Sequence, residues 1–395
     1  VNKFAHLQST NKANMKGAPP RRTATGEAVV IIMIKAVIIG FAHMHVNEVA
    51  EYILGQPETL LCGIADVAPT HPELCEKRYT REWNRRNVET ISGIHCHESY
   101  TELLDRVKPD CAYILCENVQ KPRVALECAR RGVNIIIEKP LAADLAGAEV
   151  IAGAAEKYGV EVIVNWPVAW RGYLHRQKRA TDDLLLGRSL RLNYQNGHTG
   201  PLGQGARHRG VAETADEMTD EERGSCWWYH SDCGGGALLD ILCYGCYFSR
   251  WYFGLPLGVS ASEQRLSLSY ADCGDNAAAI FRYADRLTVA EGSWTIPRRL
   301  VPAGPQLLCE DGALWCSGGA DSNQSVEACT LAGEDVVVPE FELSDDMRNL
   351  PWHYAAHRLR GKKLFETLDL GFNLDVMRML DTATRSSREG REVEL

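Results

Sequence analysis

The chain has no apolar run long enough to cross a bilayer. The longest near its start, "AVVIIMIKAVIIG" (28–40), is interrupted by Lys35 and falls short of the roughly 20 residues that a spanning helix needs. Basic charge is also scarce. Against 52 Asp and Glu stand 43 Lys and Arg, so the formal net charge is −9. This excludes nucleic acid as the main partner, because phosphate binding needs a basic face. Cysteine is present, 14 residues in 395, but Cys226, Cys233, Cys243 and Cys246 do not repeat the paired spacing of a zinc site. No His/Cys/Asp cluster has ligand spacing, so no metal is expected. Cysteines inside apolar runs, such as Cys111 and Cys128, act as small hydrophobes, and a reducing, cytoplasmic compartment is expected. No internal repeat is present, and no intact GxGxxG.

Short strand and helix patterns alternate through the first half. "KAVIIG" (35–40), "LLCGIAD" (60–66), "CAYILC" (111–116), "VNIII" (133–137) and "VEVIVN" (160–165) are near-continuous apolar runs, as strands buried on both faces require. Between them, "QKPRVALECARRG" (120–132) has Pro122 in its first turn and Gly132 as its stop, and "DLAGAEVIAGAAEKYG" (144–159) runs from an Asp N-cap to a Gly C-cap. The alternation predicts a doubly wound parallel sheet over 33–165. After Asn165, "EQRLSLSY", "AAAIFRY", "RLTVAEGSW", "QLLC" and "ALWC" predict a mostly antiparallel sheet in an α+β domain over 166–395, with one long helix from about Gly236 to Tyr252. The hydrophilic segment 203–225 reads as a solvated loop, with a lid or subunit arm as the sharper alternative. Residues 1–32 are polar and basic, with Glu27 their only acid. They read as a disordered or upstream extension before Met33, dispensable for folding.

Three stretches carry chemistry. "GFAHMH" (40–45) follows the first strand where a dinucleotide-binding fold keeps its glycines. Gly40 supplies the turn, Ala42 and His45 stand at the second and third glycine positions, and the helix that follows offers its N–H groups to a phosphate. Asp66 ends the second strand, where a carboxylate can accept the ribose hydroxyls or serve as an N-cap. No Lys or Arg follows it in "DVAPTHPE", so NAD is expected over NADP, which would set a second anion beside that carboxylate. "EKP" (138–140) closes the fourth strand. Ligands of such sheets bind outside the carboxyl ends of the strands, so Lys139 is expected in the crevice. In "GGGALLDILCYGCYFSRWYFG" (234–254), Asp240 and Tyr244 lie four apart on one helical face, where a carboxylate and a phenol need a use to offset desolvation.

Taken in order, these motifs resemble the glucose–fructose oxidoreductase, inositol dehydrogenase and MocA family over about residues 34–390. "EKP" and "GGGALLD…Y" match the family's two signatures, and "DNAAAIFRYADRLTVAEGSW" with "FNLDVMRMLDTATRSSREGREVEL" resembles its sheet and last helix. In "ENVQK" (117–121), Glu117 stands for a usual Pro and Lys121 for a usual His. The resemblance implies a nicotinamide-dependent oxidoreductase acting on sugars, polyols, cyclitols or related alcohols and ketones. It makes Lys139 and Asp240 catalytic or substrate-orienting and Tyr244 the acid/base, with an ammonium beside the phenol lowering its pKa. Cofactor contacts fall on Gly40, Phe41, Ala42, His43, Met44, Asp66, Cys116, Glu117, Asn118, Glu138 and Lys139. Trp166, Arg171, His175 and His230 are candidates for substrate recognition. A dimer or tetramer through the open face of the second sheet is a further expectation. Two rival readings keep the fold: an NAD-dependent glycosidase or lyase without net redox, and a non-catalytic nucleotide-sensing protein.

Overall fold

The computed structural model describes residues 33–318 and 324–395; the expectation for 1–32 lies outside them. Five apolar runs form a parallel sheet in the order β2-β1-β3-β4-β5, with β1 Ile34–Ile39, β2 Thr59–Ala65, β3 Cys111–Ile114, β4 Asn134–Glu138 and β5 Val162–Asn165. The order reverses between β1 and β3, which opens a crevice at their carboxyl ends. Gly40 ends β1 at φ +92°, and a Cβ there would lie 2.5 Å from the Cys116 backbone nitrogen. Only glycine lets these two strand ends approach so closely.

The second sheet has eight strands in the order β12-β11-β10-β6-β9-β8-β7-β13. They are β6 Ser189–Gly197, β7 Gly258–Gln264, β8 Asn276–Arg282, β9 Leu287–Ser293, β10 Gln306–Cys309, β11 Gly312–Ser317, β12 Ser325–Thr330 and β13 Val393–Glu394. Only β6 and β9 pair in parallel. Burial alternates along β8, β9 and β10, so one face meets the core and the other is open. The helices Cys243–Phe253 and Leu370–Glu389 lie in one continuous core with both sheets. None of the helices among the described residues is long and apolar enough to cross a membrane.

Three expectations are corrected. "EQRLSLSY" is not one strand. β7 ends at Gln264, because the buried carboxylate of Asp275 accepts the N–H groups of Leu266, Ser267 and Leu268 at 2.8 Å each and curls the chain around itself. The helix after the triple glycine is not uniform: Leu238–Leu242 is one π-helical turn before the α-helix Cys243–Phe253. There β9 presses on the helix backbone, a Cβ on Gly292 lying 2.7 Å from the Leu242 nitrogen. Segment 203–225 is a strap across the first domain, not a free loop. Arg78 bonds Asp216 at 2.7 Å, the Tyr79 hydroxyl donates to the Glu213 carbonyl at 2.6 Å, and Lys77 bonds Glu222 at 2.6 Å.

Candidate active site

The carboxyl end of β4 delivers Glu138 and Lys139, and buried groups hold it from three sides. Glu138 accepts from His45 Nδ1 at 3.0 Å and from Asn165 Nδ2 at 2.9 Å. Behind it, Lys121 donates to the Glu138 and Pro140 carbonyls and to Asn118 Oδ1 at 2.6, 2.7 and 2.7 Å. These are three acceptors for an ammonium's three donors. Burial nonetheless pulls the Lys121 pKa down to about 7. Asn118 also donates to the Gly234 carbonyl at 2.7 Å, where a Cβ on Gly234 would meet Asn118 and Ala143 at 2.7 Å. The triple glycine is therefore what lets the second domain close on the first.

Across that junction Lys139 Nζ, almost wholly buried, donates to Asp240 Oδ1 and to the Asp240 carbonyl at 2.8 Å each. The other carboxylate oxygen accepts from Trp294 Nε1 at 2.9 Å and lies 3.6 Å from His198 Nε2. Burial opposes both charges, but the pair prevails. Lys139 and His198 hold Asp240 well below the usual carboxylate range, and Asp240 and Tyr244 hold Lys139 well above an ordinary lysine. The Tyr244 ring centroid is 4.8 Å from Lys139 Nζ, and Trp166 meets its edge at 5.4 Å. The expected lowering of its pKa is overturned: burial raises the phenol, and Lys139 offsets only part of that.

Lys139, Asp240 and Tyr244 share the wall of a cavity of about 840 Å³ between the domains, which His43, Met44, His45 and Arg171 also line. Of the other substrate candidates, Trp166 is in the core, its ring N–H on Asn373 at 2.7 Å. His175 sits among Trp251, Phe341 and Phe365 and donates to the Ala169 carbonyl at 2.8 Å. His230 lies against His71, 3.6 Å from Asp272. None of these three lines the cavity. His198, Trp294 and His45 were missed. His45 had a local signal, a bulky residue at the third glycine position; His198 and Trp294 had none.

On the nucleotide side Gly40, Phe41, Ala42, His43, Met44, Cys116, Glu117 and Asn118 are all buried. Trp227 donates to the Ala42 carbonyl at 2.8 Å, and Trp228 meets His43 edge-on at 4.7 Å. Glu117 accepts from Thr70 N at 3.0 Å. Asp66 accepts from Val67 N at 2.7 Å and pairs with Arg81; burial lifts its pKa to about 6 against the pull of Arg81. His43, kept neutral by burial, has its Nε2 buried without a partner beside the start of the helix Val46–Gly55. An orphaned imidazole nitrogen and a helix N-terminus at the cavity wall fit a dinucleotide. His43, His45 and Glu138 also bring ligand-type atoms within 4.8 Å of one another. That grouping was not visible in the spacing, and the charges of Lys139 and Lys121 act on it.

The profile of the oxidoreductase family with an NAD-binding Rossmann fold (GFO_IDH_MocA) matches residues 34–166, and that of the family's C-terminal domain matches residues 205–314. Together they take up more than half of the chain. The chain belongs to the Gfo/Idh/MocA oxidoreductase family. Its cofactor class is nicotinamide dinucleotide. No curated protein matches it. Among solved structures it is similar to an aldose-aldose oxidoreductase from Caulobacter crescentus complexed with glycerol, at 17% identity and a TM-score of 0.71 over 92% of this chain and 100% of that one. An oxidoreductase from Agrobacterium radiobacter, complexed with NAD+, L-tartaric acid and magnesium, is 14% identical with a TM-score of 0.68 over 91% and 98%. The WlbA dehydrogenase from Bordetella pertussis, complexed with NADH and UDP-GlcNAcA, is 18% identical with a TM-score of 0.69 over 92% and 99%.

Proposed function

We propose that this family member is an NAD-dependent dehydrogenase acting on a CH–OH group of a sugar, polyol, cyclitol or related alcohol or ketone. One observation carries the reading: an ion pair from two domains, Lys139 with Asp240, places an ammonium 4.8 Å from the ring of Tyr244 in the wall of a cavity that the glycine-loop histidines also line. In this reading residues 33–165 hold the cofactor and 166–395 the substrate. His43, Met44, Glu138 and Lys139 stand nearest the reactive end, with Gly40, Phe41, Ala42, Asp66, Cys116, Glu117 and Asn118 along the nucleotide. The nicotinamide, when bound, takes or gives the hydride.

The protein moves the proton. The Tyr244 hydroxyl makes no hydrogen bond to the described residues, and burial keeps it neutral near pH 7. In reduction it donates its proton to the carbonyl oxygen and is left as the phenolate; in oxidation it first loses that proton, and the phenolate then takes one from the alcohol. Lys139 stabilises the phenolate side of that exchange, and Asp240, fixed by Trp294, keeps the ammonium in place. Position and proton transfer of this kind contribute about 10² to 10⁴ in rate.

The cover of Trp227 and Trp228 over the glycine loop favours a second reading. A cofactor held beneath it leaves slowly, as a glycosidase or lyase without net redox requires. Absorbance at the NADH band, recorded against polyols, sugars and dihydrodiols, separates the two. NADH rising with product supports the dehydrogenase; product forming without NADH supports the second reading. Bound NAD with no turnover on any of them returns the chain to a nucleotide-sensing role. The open sheet face, with Ile280 and Leu308 exposed, serves in our reading as a homo-oligomer contact, to be tested by light scattering.

A further inference from the structure

Among the described residues of the cavity wall, Arg171 is the deep cation that no anion neutralises. Its side chain follows the 3-10 turn Pro167–Trp170 and lines the same cavity wall as Tyr244. Its partner is a phenol: Nη1 donates to the Tyr173 hydroxyl at 3.0 Å, and that hydroxyl donates onward to the Ala303 carbonyl at 2.8 Å. Nε is buried without an acceptor. The groups that act on the guanidinium are Tyr173, Tyr194 and Tyr244, and it acts in turn on the Cys316 thiol. Among the described residues no carboxylate stands within ion-pair distance of it.

The rest of the lining sharpens the point. The two cavity carboxylates are already engaged, Asp240 by Lys139 at 2.8 Å, and Glu48 by Tyr52 and, at 3.6 Å, by Arg209. Arg207, at the rim, pairs with no acid among the described residues. A chain whose formal net charge is −9 thus keeps positive charge in this cavity with no counter-charge among the described residues. A charge taken partly out of water is costly unless a counter-charge joins it, and a cavity with low-dielectric walls concentrates anions at such a cation.

We infer that the substrate carries a carboxylate, an acidic sugar or hydroxy acid, and that Arg171 binds it while Tyr244 faces the CH–OH group. This deepens the proposed reading and rests on its placing of the substrate at Lys139, Asp240 and Tyr244. A carboxylate suits the site better than a phosphate. Arg171 supplies one charge, which matches a monoanion; Arg207 lies exposed at the rim, Arg209 pairs with Glu48, and Lys139, the other deep cation, is held by Asp240. Arginine is suited to the role, because its planar fork stays charged at every working pH and matches a carboxylate.

The test is calorimetric titration of the full chain, with and without NAD+, using matched pairs: glucuronate with glucose, gluconate with glucitol, and glucose 6-phosphate as the phosphate arm. The expected result is at least tenfold tighter binding of an acid than of its neutral partner. Arg171→Gln should abolish that ratio, and Arg171→Lys should restore part of it. A merely structural Arg171 would weaken acid and neutral ligands alike and leave the ratio unchanged. A panel in which no acid binds better than its neutral partner overturns the inference, as does a phosphate ester that binds better than the carboxylates. Binding is read apart from turnover. An acid preference with no NADH formed would sink the dehydrogenase reading and leave carboxylate recognition standing.

Discussion

Replacing Lys139 by Met tests the junction on which the proposed chemistry depends. In the parent both charges are almost dry, their side chains 3% and 10% exposed, with 2.8 Å between Nζ and Oδ1. At an effective dielectric of about 20 that contact is worth roughly 6 kcal/mol of Coulomb energy before desolvation is set against it. Removing one partner leaves Asp240 as a buried carboxylate with only Trp294 and His198, and such orphaned charges cost about 3–5 kcal/mol. Lys139→Met should therefore lower the unfolding free energy by that amount, read as a lower urea midpoint at unchanged m. The loss should also depend on pH. Without Lys139, burial raises the folded-state pKa of Asp240 above its unfolded value near 3.9. Stability in the variant is then fully present below that value and lost as pH rises through the raised one, so the deficit is largest at neutral pH and shrinks in acid. The parent does not share this trend near neutrality, because its Asp240 titrates well below the usual range. Lys139→Met with Asp240→Asn removes both charges and should recover at least about 2 kcal/mol of the single-variant loss, a non-additivity that only contacting residues produce. A single-variant cost below about 1 kcal/mol, or additive effects in the double variant, would refute the reasoning. The pair would then be a solvated contact with no hold on Tyr244.

Tyr244→Phe should leave the melting temperature nearly unchanged, since the lost hydroxyl has no partner among the described residues, yet lower turnover at least about 10²-fold; turnover within a fewfold of the parent would shift the proton carrier to another group. NAD+ should be preferred over NADP+ by at least about tenfold, equivalent to 1.4 kcal/mol. Burial lifts the Asp66 pKa to about 6, so the preference should fall as pH drops below that value; a ratio of specificity constants that stays the same across that range would overturn this. Stability should decline in acid through His353, which is fully buried between Trp170 and Phe365 and whose pKa burial lowers to about 4. A depressed imidazole pKa contributes stability that is whole above about 6.5 and lost as pH falls towards 4, and His353→Phe should flatten that slope in denaturant titrations.

Much of the first domain was legible locally. Five short apolar runs, three of them closed by Gly, Asp or a charged pair, read as buried strands, and their alternation with capped helices points to a parallel sheet. "EKP" and "GGGALLD…Y" were equally plain, because turn glycines and a helical spacing of four are local properties. What failed locally had a distant cause. Residues 265–270 alternate like a strand, yet Asp275 takes their N–H groups. Segment 203–225 looks soluble, yet Arg78, Tyr79 and Lys77 bind it. Trp166 and His175 have the composition of a sugar site, yet packing places them in the core, whereas Arg171, no more conspicuous in the sequence, lines the cavity.

The sequence by itself determined which residues could bear charge into a crevice: Lys139 at a strand end, and Asp240 with Tyr244 one turn apart. Only the tertiary structure decided what they do to one another. Lys139 meets Asp240 across 101 positions, Trp294 arrives just after the end of β9, and Tyr244 is buried enough that desolvation outweighs the neighbouring ammonium. Periodicity and turn chemistry act over a few residues, so a sequence displays them. Coulomb energy and desolvation depend on distance and dielectric in space, and these exist only once the two domains have closed on each other.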